Sequence, residues 1–272
     1  MRAAADRSRT VRRSAAGLAA ALAATGVLAG CGGGQAATSP GWAAPQGAAS
    51  PAAATAPVAT DADLARGLLP ADAFGAGATV VPVTLAQLQQ QLAAVPGGLT
   101  AALSGVQVTP AACATALKTV GAGLAGVTGL AGEGAHTGVG GTAEAIVTGT
   151  PETSETSETS ETFATSAVAA LRSLADACST VQVTSPHGTA TVTLAPVDVP
   201  ALGNGAAALA ATAVLTPADR APVTLSGVLA AVRDGDRLLL LGTAAPGSTA
   251  PDHDAFTSLL QQAFDRESHA LG

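Results

Sequence analysis

Apolar positions recur at helical spacing in the first half of the chain and at alternating or continuous spacing in the second. In "TLAQLQQQLAAV" they fall at Leu85, Leu88, Leu92 and Val95, behind Thr84 as cap and ahead of Pro96-Gly97-Gly98 as stop, which predicts a helix. "DADLARGLLPADAFG" predicts one short helix ending at Pro70. "TPAACATAL" predicts a second helix start, with Thr109 as cap and Pro110 in the first turn, so that Cys113 sits in the first turns. The Gly-rich stretch 121–141 weakens any helix there. Further on, Val168, Leu171, Ala175 and Cys178 share one face of another helix, which ends at the cysteine and can face the helix of Cys113.

Strand patterns follow. "STVQVTS" and "TATVTLAPV" flank the turn "PHG", and "VTLSGVLAAV" is a longer strand. "AAALAATAVL" fits a strand, although its composition also suits a helix. In "VRDGDRLLLLG", Asp234-Gly235 between two apolar runs is a hairpin signal. Phe256, Leu259, Leu260, Ala263 and Phe264 follow i, i+3, i+4, i+7, i+8 and predict a closing helix. The expected class is α+β: an antiparallel sheet of about four to five strands packed against helices, with a C-terminal helix.

The N-terminus lies outside that pattern. Residues 1–13 carry five arginines against one aspartate, and 14–29 are small and apolar. A membrane-spanning helix takes about 20 apolar residues, and this run is shorter and ends in glycines, which describes a signal peptide. Leu28-Ala29-Gly30-Cys31 resembles the lipobox of bacterial lipoproteins. That resemblance implies a diacylglyceryl group on the Cys31 sulfur, cleavage before Cys31 and acylation of the new N-terminus. Residues 1–30 are then the signal peptide. Residues 31–60, rich in Gly, Ala and Pro, form a flexible tether with a lone Trp42. Residues 61–272 form one α+β domain, with an acidic loop at 151–162, "PETSETSETSET".

Charge narrows the partners. The chain has 12 basic and 19 acidic residues; without residues 1–30 there remain 7 and 18, a formal net charge of −11. Such a chain has no basic surface for nucleic acid, and none for anionic headgroups, so the lipid on Cys31 must hold it to the membrane. Two cysteines remain, Cys113 and Cys178, 65 residues apart. An even pair in an exported chain reads as a disulfide; metal ligation and a redox pair are the alternatives, without a C-x-x-C or nearby histidine spacing to favour them.

Catalytic and metal signatures are weak. His136, His187, His253 and His269 are far apart. Asp252 or Asp254 in "PDHD" reads as a helix cap before it reads as a metal ligand. "DGD" at 234–236 reads as a hairpin turn before it reads as a calcium loop. There is no G-x-S-x-G, Walker loop or dinucleotide fingerprint. No catalytic residue, metal site or cofactor is therefore expected, and the ligand-binding residues stay unassigned.

A tether, a helix, a P-x-x-C helix start (Pro110 to Cys113), a later helix ending at Cys178, antiparallel strands and a C-terminal helix make a recognisable layout. It is similar to the extracytoplasmic sensor domain of PknH-type mycobacterial receptor kinases and of lipoproteins with the same domain. The resemblance implies helices on an antiparallel sheet around a ligand cleft, with Cys113 and Cys178 as structural residues. The second disulfide usual in that family has no cysteines here, and Leu174-Ala175-Asp176-Ala177 lacks the aromatic often found before the second cysteine. The expected function is a non-enzymatic binding or sensor module for a small or apolar ligand, lipid-anchored on the extracytoplasmic face of the cell membrane. The runner-up is an interaction lipoprotein without a pocket, meeting an envelope protein through its sheet edge or acidic loop. A hydrolase is the third reading.

Overall fold

The computed structural model describes residues 60–93, 105–124, 126–137, 140–149 and 163–272. Cys31, Trp42, the tether up to residue 59, the stop at 96–98 and the acidic loop 151–162 lie outside the described residues.

Among the described residues nine strands form one antiparallel sheet: β1 (Thr79–Thr84), β2 (Gln107–Thr109), β3 (Val127–Thr137), β4 (Gly140–Gly149), β5 (Thr180–Ser185), β6 (Gly188–Val197), β7 (Gly205–Pro217), β8 (Val223–Asp234) and β9 (Arg237–Pro246). Their spatial order is β1-β3-β4-β9-β8-β7-β6-β5-β2. Among the described residues the helices are α1 (Asp61–Leu64), α2 (Leu85–Ala93), α3 (Ala111–Leu124), α4 (Phe163–Ala177) and α5 (His253–Leu271), with 3-10 turns at Ala65–Gly67 and Ala71–Phe74.

The α+β class and the closing helix hold, but the sheet is nearly twice the expected size. β5 to β9 are the five strands the pattern indicates, and the ambiguous "AAALAATAVL" is a strand. β1, β2, β3 and β4 are additional. β3 lies in the Gly-rich stretch 121–141, whose weak helix signal gave no strand signal in its place, and β4 follows it in a run of Gly, Ala and Thr. Their glycines fit because strands pack closely there: a Cβ on Gly132 would lie 3.0 Å from the Glu144 carbonyl oxygen. β1 tolerates Pro82 because it is an edge strand.

Helices cover both faces of the sheet centre. On the front, α5 and the N-terminal turns bury Leu64, Ile146, Leu239, Leu241, Phe256 and Leu260 in one cluster. On the back, α4 buries Val147, Phe163, Val168, Leu171 and Leu238 in another. A strand covered on both faces has no polar side, which is why Leu238–Leu241 run without alternation.

Local signals hold at several ends. Thr84 and Gln87 bond reciprocally, Gln87 N to Thr84 Oγ1 at 3.3 Å and Thr84 N to Gln87 Oε1 at 2.9 Å, and so start α2. Asp252 Oδ1 accepts from Asp254 N and Ala255 N at 3.0 Å each, capping α5. Asp234 and Arg237 pair across a two-residue turn in which Gly235 has φ +63°. One cap differs. Thr109 ends β2, and it is the Pro110 carbonyl that accepts the first bonds of α3, from Cys113 and Ala114 N–H.

A buried carboxyl cluster beside a shallow cleft

Cys113 and Cys178 form a disulfide, with 5.4 Å between Cα atoms. α3 and α4 lie side by side as expected, and the bridge is fully buried on the back face with Val181, Val192 and Ala213. It closes a 65-residue separation and staples both helices to the strands beneath. This arrangement is structural and leaves neither sulfur free for metal or exchange chemistry.

The front face holds a feature that has no counterpart in the sequence expectations. Glu133 on β3 and Glu144 on β4 are directly opposite each other in register, and like charges so placed repel. Both are buried, Glu144 to 1% exposure. Glu267 on α5, 0% exposed, comes down on the same face. Glu144 Oε2 accepts from Leu69 N–H at 3.0 Å, which ties the N-terminal turns to the sheet. Glu133 Oε1, Glu144 Oε1 and Glu267 Oε2 are buried without a hydrogen-bond partner.

One arginine offsets these acids. Arg237 on β9 donates from Nε to Glu267 Oε1 at 3.0 Å, from one terminal nitrogen to Asp234 Oδ2 at 2.6 Å, and from the other to the Leu271 carbonyl at 3.2 Å. The ion pairs of Arg237 are with Glu267 and Asp234, and three buried carboxyls so close together cannot all stay ionised away from water. Burial pushes the Glu144 carboxyl up to about 8; the Leu69 N–H opposes this, and the charges of Glu133 and Glu267 add to it. Burial raises Glu267 to about 7 against the pull of Arg237. Burial also raises Glu133. Arg237 is held above its ordinary value, because Glu267 and Asp234 outweigh its own burial. Burial thus brings two carboxyls of the cluster, Glu144 and Glu267, toward neutrality.

Arg237 also reaches the surface. It lines a shallow cleft of about 390 Å³ with Asp63, Leu64, Arg66, Ala270, Leu271 and Gly272. A second groove, about 440 Å³, is lined by Arg172 and residues 199–206. Both lie at the surface, whereas the helix–sheet interfaces, where an apolar ligand would be expected, are filled by the clusters described above. Among the described residues no group of histidines, cysteines and acids could hold a metal ion. The four histidines do not converge, Asp252 is a cap, and 234–236 is the hairpin.

Signals for the cluster existed. Phe256, Leu260, Ala263 and Glu267 are the buried positions of α5, so the acid continues the apolar stripe one turn on. Glu133 and Glu144 sit among Ala and Gly in "LAGEGAHT" and "GTAEAIV", where a buried acid stands out only once a strand is recognised.

Comparison with known proteins gives no matching family model and no matching curated protein. Among solved structures, the chain is similar to the crystal structure of the extracellular domain of PknH from Mycobacterium tuberculosis. The two share 17% identity over 78% of this chain and 98% of that one, with a TM-score of 0.46. It is also similar to the X-ray structure of an uncharacterised Mycobacterium smegmatis protein, the Rv0999 ortholog, at 15% identity over 72% and 91% of the two chains, with a TM-score of 0.40. The first is the domain type that the sequence resembles. Among the described residues no helix is long and apolar enough to cross a membrane.

Proposed function

We propose that this chain is a non-enzymatic binding or sensor module, held at the extracytoplasmic face of the cell membrane by a lipid on Cys31. The observation that carries the sensing role is the buried carboxyl cluster joined to a surface cleft through Arg237. Buried charges with orphaned oxygens cost folding free energy. Groups kept at such a cost beside a cleft are candidates for recognition or switching. The lining of charged side chains favours a small polar ligand over an apolar one. The absence of any catalytic signature in the sequence supports the non-enzymatic part of the reading, and the lipobox supports the anchor.

Native mass spectrometry of the exported protein and of its Arg237→Ala variant tests the binding role. Extra mass on the wild type that is lost on denaturation and absent from the variant supports the cleft. Extra mass that persists in the variant, or no extra mass on either protein, contradicts it.

A further inference from the structure

Beyond ligand binding, we propose that the carboxyl cluster is a proton-operated latch on residues 60–74, a strap that closes over the front face and builds one wall of the cleft. The strap holds α1 and the two 3-10 turns. It is wedged between the sheet and the end of α5: a Cβ on Gly67 would lie 2.7 Å from Ile146 Cδ1 on β4 and 2.9 Å from Leu271 Cδ1 on α5. α1 and the second turn lie on β3, and the first turn lies on α5. The strap's own polar contacts are local. Thr60 Oγ1 accepts from Asp63 N at 3.2 Å, Thr60 N donates to Asp63 Oδ2 at 3.2 Å, and Arg66 pairs with Asp63 at 3.1 Å. The strap can therefore lift as a unit without losing them.

Packing of the buried Leu64 and Leu69 fastens the strap to the sheet. Two hydrogen bonds add to it: Asp61 Oδ1 accepts from Leu130 N–H at 3.2 Å, and Leu69 N–H donates to Glu144 Oε2 at 3.0 Å. The second bond is made to a buried carboxyl whose other oxygen has no partner, directly opposite Glu133. A neutral Glu144 suits the closed strap, because its proton goes to Glu133 while its oxygen accepts from Leu69. An ionised Glu144 meets the charge of Glu133 from β3 and of Glu267 from α5, with Asp234 of β8 and Arg237 of β9 behind Glu267. The strap lies over its Oε2, so lifting the strap is what lets water reach that charge.

The direction follows from where the proton is held. In the closed state Glu144 keeps its proton up to about 8, whereas in water a glutamate keeps it only to 4.5. The latch is therefore tightest below 4.5, loosens as pH rises, and is lost as pH passes about 8. With the carboxyl fully hydrated in the open state, the open fraction grows roughly 75-fold between pH 6 and pH 8.5. Asp63, Leu64 and Arg66 of the strap line the cleft together with Arg237, Leu271 and Gly272, so opening dismantles it. This last step rests on the binding role proposed above: the cleft then holds its ligand at neutral and lower pH and releases it in alkali.

Brief trypsin digestion of the exported full chain in detergent, at a series of pH values from 6 to 8.5, tests the latch, with fragments quantified by mass spectrometry. Gly67 is buried in the wedge, so the Arg66–Gly67 bond is cut only when the strap lifts. Arg220–Ala221 lies in the exposed turn after β7 and carries trypsin's own response to pH. Arg172–Ser173 lies within α4 and reports unfolding of the body. Cutting follows the open population when closing is faster than cleavage. In the wild type the ratio of Arg66 to Arg220 cutting is expected to rise at least about tenfold across the series, with a far smaller rise in the ratio of Arg172 to Arg220. Glu144→Gln should keep the Arg66 ratio flat, and Glu133→Gln, which removes the charge opposite Glu144, should shrink its rise. A flat wild-type ratio overturns the proposal. So does a rise that either variant leaves unchanged, or a parallel rise at Arg172, which means that the whole domain opens. No ligand enters this experiment, so the latch and the Arg237 cleft, which native mass spectrometry tests, stand or fall separately.

Discussion

Replacing Glu144 with glutamine should stabilise this protein at alkaline pH and flatten its pH dependence. In the folded state Glu144 is faced by Glu133 from β3, by Glu267 from α5 with Arg237 behind it, and by the Leu69 N–H from the N-terminal turns. Its carboxyl titrates at about 8 rather than 4.5, chiefly because it is buried. The folded state therefore holds a proton that the unfolded chain has released across most of the range between those values. The contribution of this group to stability is then largest below 4.5 and is lost as pH rises toward 8. Each tenfold step in proton affinity is worth about 1.4 kcal/mol, so going from pH 5 to pH 8 costs about 3 kcal/mol through this group alone. For a domain of this size that is a fall of about 6–12 °C in Tm. In Glu144→Gln the side-chain oxygen still accepts from Leu69 and the amide donates to Glu133, with no charge to hold. Thermal melts of wild type and variant from pH 5 to 8 check this. A wild-type Tm that is flat or rises over that range refutes the reasoning, as does a variant that keeps the wild-type slope.

Other outcomes follow from the same structure. Arg237→Ala leaves Glu267 and Asp234 without their counter-charge and should lose about 3 kcal/mol in denaturant melts, whereas Arg237→Met/Glu267→Met should lose much less. Cys113→Ser/Cys178→Ser removes a link across 65 residues and should cost about 4 kcal/mol by loop entropy, read as a lower urea midpoint. Gly203→Ala should destabilise by more than about 2 kcal/mol, because Gly203 has φ +51° and a Cβ there would lie 2.2 Å from the Arg233 carbonyl oxygen; an unchanged melt would contradict the packing of 199–204 over the end of the sheet.

The parts legible in the sequence were those with local cues. The Asp234–Arg237 hairpin, the Asp252 cap and the apolar stripe of α5 each depend on a few neighbouring residues, and each stands where the pattern placed it. The cysteine pair was legible because residues 61–272 hold two cysteines and no C-x-x-C or nearby histidine spacing that would favour another use. β3 and β4 were hidden because Gly and Ala carry little strand signal; their pairing is fixed by β1 and β9, which are distant in sequence. The carboxyl cluster was hidden for the same reason. Glu133, Glu144 and Glu267 meet only after β3 pairs with β4 and α5 folds back over the sheet, and no short window contains more than one of them. The pairing of β5 and β6 lay between these cases: alternation in "TVQVTS" and "TATVTLAPV" marks a two-sided strand, but only the register aligns the threonines into rows.

The tether on Cys31 is the claim on which location, and hence function, depends. Fractionating cells that carry the wild type or Cys31→Ser, with protease added to the intact cells first, tests it directly. The account predicts wild type in the membrane fraction and cleaved from outside, and the serine variant released into the soluble exported fraction. A serine variant that stays with the membrane, or a wild type that outside protease cannot reach, would contradict it.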